Sequence, residues 1–145
     1  MDETIRSLIR KKGACVLATA AGGQPHCSLM SYVADETCRE FYMLTLSGTR
    51  KYENLLANSA VSLLIDTRDE DVRRQEEVRA LTVTGVFKKM DDPQKEADIL
   101  RKLFTRHPHL RELPLNGPVK VITVQAAAFQ LLAGLSRARI EEADG

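Results

Sequence analysis

Hydrophobic positions recur along the chain with two different spacings, and together they predict three helices and six strands. Apolar residues return every three to four positions in three segments, which predicts helices over residues 2–12, 49–58 and 93–107. Shorter apolar or alternating runs predict strands over residues 14–20, 26–33, 40–46, 60–66, 80–89 and 119–124, and residues 125–132 either continue the last strand or begin another. Consecutive hairpins favour antiparallel pairing and short strands favour closure, so we expect a mainly β fold, a small β-barrel with flanking helices.

Local signals refine several of these boundaries. Asp92 is placed to cap the third helix, and Pro93 suits its first turn. Gly85 lies inside the fifth strand, where glycine indicates a bulge or a close approach by another backbone. The alternating charges of residues 67–78 predict a solvated loop or a fraying helix, and the acidic tail from about residue 140 is expected to be loose. We therefore expect residues 1–145 to form one domain.

The overall composition shows no bias toward a charged partner. Of the 145 residues, 43% are hydrophobic and 28% are charged, and the formal net charge of +1 gives no global attraction to nucleic acid or acidic lipid. No apolar run is long enough to cross a membrane, and the charged N-terminus lacks the apolar centre of a signal peptide, so the expected location is cytoplasmic. Three cysteines without a CxxC spacing do not make a disulfide framework, so Cys15, Cys27 and Cys38 are expected to be buried free thiols.

The stretch 41–55 carries the clearest candidate chemistry, because an apolar strand leads through a small-residue loop into the first turn of a helix. Gly48 lets the backbone approach a ligand, and Thr49 can cap the helix. The first N–H groups of the helix and the positive end of its dipole favour an anion. Arg50 adds a two-pronged donor and Lys51 a compact charge, so the pattern suits a phosphate group. A solvated helix cap without a ligand is the alternative for this motif taken alone.

Other polar residues give weaker signals. His26 begins the second strand and could tune a bound ligand, although a half-exposed histidine without a role is the plainer interpretation. His107 and His109 lack a third metal ligand nearby in the sequence, which argues against a metal site. No base accompanies Cys15 or Cys27, so core packing is favoured over a nucleophilic role.

The order of these elements resembles a known family. The hairpin ACVLATAAGGQPHCSLMSYV, the segment EFYMLTLSGTRKYENLLANSAVSLLID and the strand ALTVTGVF are similar to the FMN-binding split barrels related to pyridoxamine 5′-phosphate oxidase. In that family the strand–loop–helix carries Ser/Thr-Arg-Lys and a later Asn, which here are Thr49-Arg50-Lys51 and Asn54. The resemblance covers about residues 3–130 and implies a six-stranded antiparallel split barrel.

The resemblance also implies a cofactor, FMN, and its contacts. The FMN phosphate would lie on Arg50 and Lys51, helped by Thr49. Thr45 and the backbone of Leu44 would lie along the ribityl chain and the flavin ring. The second strand would face the isoalloxazine ring, largely through backbone groups, at Ser28, Leu29, Met30 and Ser31. Members of the family are usually homodimers with flavin at the subunit interface, so a partner chain would complete each site. The implied activity is flavin-dependent oxidoreduction of a small molecule.

The C-terminal segment separates this chain from the oxidase itself. The oxidase carries an Arg-x-His near its C-terminus that contacts its pyridoxal substrate, whereas this chain ends Ser136-Arg137-Ala138-Arg139-Ile140 and has no histidine after His109. Oxidation of pyridoxamine 5′-phosphate is therefore not the expected activity. Residues 129–138 resemble, loosely, the Gly-Phe-Gly-Arg-Ala ending of split barrels linked to haem-iron utilisation. Non-enzymatic binding of haem or flavin is accordingly the alternative function.

Overall fold

Eight antiparallel strands form one sheet that curls into a half-barrel. The structure is a computed structural model that describes residues 1–70, 78–113, 118–134 and 137–143. Within these ranges the strands are β1 (Ala14–Ala21), β2 (Gln24–Ser31), β3 (Val33–Ala34), β4 (Glu40–Leu46), β5 (Ala60–Asp66), β6 (Arg79–Lys88), β7 (Val119–Ala133) and β8 (Arg137–Glu142). Their order across the sheet is β2-β1-β5-β6-β7-β4-β3, and β8 pairs with the second half of β7.

The split-barrel class is confirmed, but the expected count of six strands is too low. In the described ranges seven strands are six or more residues long, and β3 adds a strand of two residues. The first residues of the expected loose tail, 140–142, instead form the end of β8, which pairs with residues 128–133 of β7. Residues 125–132 continue the preceding strand, because β7 runs unbroken in the chain from Val119 to Ala133.

In the described part of the chain three α-helices flank the sheet, namely α1 (Glu3–Lys11), α2 (Arg50–Ala57) and α3 (Pro93–Arg106), and a 3₁₀ helix follows at Pro108–Glu112. The predicted cap of α3 is confirmed, since the Asp92 carboxylate accepts hydrogen bonds from the N–H groups of Gln94 at 3.0 Å and Lys95 at 3.3 Å. Asp2 caps α1 in the same way. The sequence-predicted helices agree with these bounds to within one residue at each end.

Two hydrophobic clusters cover both faces of β4. The main core fills the barrel interior, where Met43 and Phe41 of β4 meet Ile5 and Ile9 of α1. A second cluster lies under α3, whose Ile99 and Leu103 pack on Tyr42, Leu44 and Val121. Complete burial of one such aliphatic side chain contributes roughly 1.5–3 kcal/mol. The strand that leads into the candidate site is therefore held firmly from both sides.

One residue, Tyr32, joins the two ends of the sheet. β2 ends at Ser31 and β3 begins at Val33, yet these strands lie at opposite ends of the strand order. The Tyr32 N–H donates to the carbonyl of Gly13 at 2.9 Å, and its hydroxyl donates to the carbonyl of Ile9 at 2.6 Å. Burial raises the pKa of the Tyr32 hydroxyl, which keeps this donor protonated. The crossing closes the half-barrel and leaves β2 beside β4.

The bulge predicted at Gly85 is confirmed. The pairing of β6 with β7 shifts register between Thr84 and Gly85. A Cβ atom at position 85 would lie 2.3 Å from the carbonyl oxygen of Gln125, so the neighbouring backbone approaches too closely for any other residue. Both halves of the prediction, bulge and close approach, describe the same feature.

The cysteines and the charged segment differ in part from expectation. Cys15 and Cys38 are buried free thiols as expected, whereas Cys27 is exposed, because it lies on the outward face of edge strand β2. Of the charged segment expected to be a loop or fraying helix, residues 71–77 lie outside the described residues. The part before them is tied to the end of α1, where Lys12 Nζ lies 2.8 Å from Asp69 Oδ1 and 2.5 Å from Glu70 Oε2.

Candidate functional site

The predicted phosphate site lies at the turn between β4 and α2. We call it the cradle, and it consists of Gly48, Thr49, Arg50 and Lys51. Gly48 has φ +85°, a conformation that favours glycine, and nothing lies within 4 Å of the position that a Cβ would take. The next residue, Thr49, is the N-cap of α2. The backbone at this corner is therefore both open and aimed by a helix start, as the sequence predicts.

The hydroxyl of Thr49 makes its hydrogen bonds within the protein. It donates to the carbonyl of Leu46 at 3.0 Å, accepts from the N–H of Tyr52 at 3.3 Å and lies 3.1 Å from the hydroxyl of buried Thr45. Asn54, the later residue of the motif, donates to the Thr19 hydroxyl at 3.1 Å and so fastens α2 to β1. These contacts give Thr49, Thr45 and Asn54 a role in positioning the helix start.

Two adjacent cations, Arg50 and Lys51, stand at this helix start. In the described part of the chain, neither Arg50 nor Lys51 forms a hydrogen bond to another side chain or an ion pair. Arg50 is exposed and Lys51 is partly exposed. The first N–H groups of a helix also lack intrahelical acceptors, and Thr49 satisfies that of Tyr52. Arg50, Lys51 and the N–H groups between Thr49 and Tyr52 thus concentrate positive charge at this helix start, where Glu53 is the acidic residue of the first turn.

The predicted second-strand residues lie along the edge of β2 with alternating directions. Met30 points into the core and is 7% exposed, while Leu29 points outward and is 79% exposed. Ser28 and Ser31 are partly exposed. β2 runs beside β4, but the described residues of these two strands are not paired. Pairing with β4 ends at Val33 of β3, which lies opposite Tyr42. We call the gap between the two strands the seam. It has residues 28–31 of β2 on one side and Leu44 and Thr45 of β4 on the other.

A cavity of about 560 Å³ lies at the far end of this seam from α2. Leu29 and Ser31 line it, together with Val16 and Leu64 on the neighbouring strands. Its polar border is formed by Lys11, Lys12, Asp66, Arg68, Asp69 and His107. Its size is within the range of small-molecule sites in proteins, about 300–1,000 Å³. Arg50 and Lys51 do not line the cavity, so the cradle and the cavity are separate parts of the candidate site.

Cys15 also lines this cavity, but its thiol is not expected to react as a nucleophile. Burial raises the pKa of the Cys15 thiol to about 12, so the thiol stays protonated near neutral pH. The nucleophilic species of cysteine is the thiolate. This agrees with the expectation that Cys15 packs in the core and does not act as a nucleophile.

Two histidines beside the seam were missed as site residues. His107 Nε2 lies 2.8 Å from the carbonyl oxygen of Tyr32, which requires that this nitrogen carry the proton and donate. His109 Nε2 lies 3.2 Å from the Ser31 hydroxyl. Their sequence position at the end of α3 gave no hint of this, because only the packing of α3 against the crossing brings them to β2. His26, the histidine weighed from sequence, lies partly exposed on β2, where it pairs across to Thr19 of β1.

Two further expectations concern metals and membranes. Within the described ranges, no group of three or more His, Cys, Asp or Glu side chains is arranged to hold a metal ion. Nor do the helices of those ranges include one with the length and apolar character needed to span a bilayer.

One family of proteins matches most of the sequence. The model of the family described as pyridoxamine 5′-phosphate oxidase matches residues 1–133 of the chain. The chain belongs to this family. No curated protein sequence matches this pyridoxamine 5′-phosphate oxidase family member.

Solved structures similar to this family member differ in what they bind. A haem-binding protein from Mycobacterium smegmatis has a TM-score of 0.78 at 14% identity, over 94% of this chain and 55% of its own, so this chain spans just over half its length. An FAD-binding protein from Mesorhizobium loti has a TM-score of 0.74 at 17% identity, over 90% and 93%. A candidate pyridoxamine 5′-phosphate oxidase from Listeria innocua has 0.67 at 17%, over 95% of both chains. At these identities the likeness concerns the fold alone.

Proposed function

We propose that this chain binds FMN, with the phosphate at Arg50 and Lys51 and the flavin ring along residues 28–31. The observation that carries the proposal is the pair of cations at the start of α2, which have no ion-pair partner among the described residues and lie beside the open backbone of Gly48. A phosphate monoester is close to a dianion, and helix N-termini with free N–H groups and adjacent cations are suited to bind it. Membership of the family and the FAD-binding neighbour support a flavin ligand.

The proposed activity is flavin-dependent oxidoreduction of a small molecule. Bound FMN would supply the redox chemistry, and the chain would bind, orient and shield it. Leu29 and the cavity beside it offer an apolar surface for a planar ring. The chain offers no Arg-x-His at its C-terminus, so the substrate we propose is not pyridoxamine 5′-phosphate. The proposed location remains the cytoplasm.

The test of the phosphate site is the double substitution Arg50→Ala with Lys51→Ala. Each charge-assisted hydrogen bond contributes about 1.5–3 kcal/mol, so loss of both contacts should weaken FMN binding by roughly 100-fold or more. Flavin fluorescence quenching gives the dissociation constant, and circular dichroism checks the fold. The matched control is Lys88→Ala with Lys89→Ala, which removes the same charge from exposed positions at the end of β6. Equal FMN affinity in both double variants would refute the assignment.

The second candidate is non-enzymatic haem binding. The similarity to the Mycobacterium smegmatis haem-binding protein favours it, as does the ending at residues 129–138, of which 135 and 136 lie outside the described residues. Against it, His107 and His109 already contact Tyr32 and Ser31. The absorption spectrum of the protein separates the two candidates, since flavin absorbs near 450 nm as a broad band and haem gives a sharp Soret band. Reduction of bound flavin by NADH or NADPH then separates an oxidoreductase from a flavin carrier.

We also propose that the protein is a homodimer with the flavin at the subunit interface. The outward face of the sheet is short of charge along one row that crosses six strands. By the paired register this row runs through Leu29, Val16, Leu64, Thr82, Gln130 and Ile140. Its end residues are 79% and 69% exposed, which is high for a leucine and an isoleucine. Burial of this face against a second copy would bring a partner chain to the cavity beside Leu29.

A further inference from the structure

A second cavity lies away from the candidate flavin site, in the cleft between α1 and α3. Its volume is about 730 Å³. The floor is the crossing from β2 to β3, with Tyr32, Val33 and Ala34, and one wall carries Ile9 of α1. None of the candidate flavin residues lines this cleft. It therefore offers an apolar base that the proposed function does not use.

Basic side chains dominate the rim of the cleft. Arg10, Lys12, Arg101, Lys102 and Arg106 all line it. Lys12 is neutralised by its two carboxylate partners, and Arg101 pairs with Asp98 at 3.1 Å. Lys102 has no ion-pair or hydrogen-bond partner in the part of the chain that the structure describes. The rim thus keeps more positive charge than its own ion pairs remove.

The other two arginines are held in place by neutral acceptors. Arg106 Nη2 donates to the carbonyls of Arg10, Lys11 and Lys12, at 3.1, 3.2 and 3.0 Å. Arg10 Nη2 donates to the carbonyl of Glu36 at 2.7 Å. Carbonyl oxygens fix a guanidinium without cancelling its charge. Both arginines are therefore oriented at the cleft and still cationic.

The acidic residues of the rim do not offset this charge fully. The Asp35 carboxylate accepts hydrogen bonds within its own turn, from the N–H groups of Arg39 at 2.9 Å and Glu40 at 3.0 Å and from the Thr37 hydroxyl at 2.7 Å. Glu36 is exposed. With Lys12 neutralised and Arg101 paired with Asp98, three cations, Arg10, Lys102 and Arg106, face the carboxylates of Asp35 and Glu36, one of which is engaged in its own turn. The cleft combines an apolar floor with a net positive rim.

We propose that this cleft binds a small anionic amphiphile, a carboxylate carried on an aromatic or aliphatic body. The body would lie on Ile9, Tyr32 and Val33, and the carboxylate would face Arg101 and Lys102. The volume is within the usual range of small-molecule sites, about 300–1,000 Å³. Because α1, α3 and the barrel crossing all border the cleft, its ligand would also fasten these three elements together.

The probes are 2-naphthoate and its uncharged analogue 2-naphthamide. Their binding is measured by ¹H–¹⁵N NMR titration of the full chain. We expect 2-naphthoate to shift the amides of residues 32–36 and 99–106, and to bind at least fivefold more tightly than 2-naphthamide. Arg101→Ala with Lys102→Ala should weaken 2-naphthoate binding by roughly tenfold, because the carboxylate loses the two charges that it is proposed to face. Alanine at these exposed helical positions preserves α3.

Two controls make the result specific to the cleft. Lys88→Ala with Lys89→Ala removes the same charge elsewhere and should leave 2-naphthoate affinity unchanged. Arg50→Ala with Lys51→Ala should also leave it unchanged, which separates this proposal from the FMN assignment. Equal binding of both probes, unchanged affinity in Arg101→Ala with Lys102→Ala, shifts confined to other residues, or displacement of 2-naphthoate by FMN would each overturn the proposal.

Discussion

Asp35 organises the turn between β3 and β4 through one side chain. Its carboxylate accepts from two backbone N–H groups and one hydroxyl, and Cys38 in the same turn adopts φ +59°. Burial raises the pKa of the Asp35 carboxyl, but hydrogen bonds from the Glu40 N–H, the Thr37 hydroxyl and the Arg39 N–H outweigh it, and the net pKa is lowered from its usual 3.8. The ionised form is thus the one that the folded turn prefers.

Replacement of Asp35 by Ala should therefore destabilise the protein in a pH-dependent way. At pH 7 we expect a loss of about 1–2 kcal/mol in the free energy of unfolding, because two partly buried N–H groups and the Thr37 hydroxyl lose their acceptor. A folded pKa below 3.8 means that the ionic part of this contribution is complete above that pH and is lost as the pH falls through the folded pKa. Urea unfolding at pH 7, 5 and 3 should show that the difference in free energy of unfolding between wild type and Asp35→Ala becomes smaller only at the lowest pH. Exposed Glu36→Ala is the control. A difference that stays constant with pH would contradict a stabilising role of the ionised carboxylate.

At the scale of elements, the bulge between β6 and β7 shows how one residue shapes two strands. The extra residue lies in β7, where Ala127 has no partner on β6 between the pairs Thr84–Ala128 and Gly85–Ala126. The freed carbonyl of Ala127 accepts from the N–H of Ala143, just beyond β8. The bulge thus lies where β7 exchanges β4 for β8 as its second neighbour.

Gly85→Ala should disrupt this junction. The new Cβ would lie 2.3 Å from the Gln125 carbonyl oxygen and 3.1 Å from its carbon, and backbone cannot move aside as a flexible side chain can. We expect a loss of roughly 3 kcal/mol in the free energy of unfolding, the upper range for forced overpacking. Chemical denaturation measures it. The neighbouring exposed Thr84→Ala should cost less than about 1 kcal/mol, and a similar cost for both variants would exclude the steric explanation.

Elements with a local signal were predictable, and elements made by distant pairing were not. Gly85 interrupts a β-branched alternating strand, and Asp92-Pro93 begins an amphipathic one-sided helix, so both carry their own evidence. β8 does not, because its residues are largely charged and become a strand only when the second half of β7 offers an unpaired edge. β3 escaped for a similar reason, since its two residues depend on β4.

At the scale of the whole molecule, the same distinction divides the candidate site. The cradle at Gly48, Arg50 and Lys51 is contiguous in the chain, and the structure brings it together as the sequence predicts. His107 and Tyr32 are 75 positions apart, and no local pattern links them. The crossing from β2 to β3 is the physical cause, because it brings the end of α3 next to the seam that β2 and β4 border.

The proposed dimer is the remaining property that only the whole molecule can test. Leu29 and Ile140 mark the two ends of the outward row, so a glutamate at either position should place an unpaired charge in the interface and favour the monomer. Leu56→Glu is the matched control, because Leu56 is also an exposed leucine, at 50%, but lies on α2 away from this row. Sedimentation velocity should show a dimer for the wild type and for Leu56→Glu, and mostly monomer for Leu29→Glu and Ile140→Glu.

Loss of the dimer in Ile140→Glu should also lower the affinity for FMN. This residue is remote from the proposed flavin contacts, so it can affect them only through the partner chain. A monomeric wild type would contradict the dimer, whereas an Ile140→Glu monomer that holds FMN fully would instead confine the flavin site to one subunit.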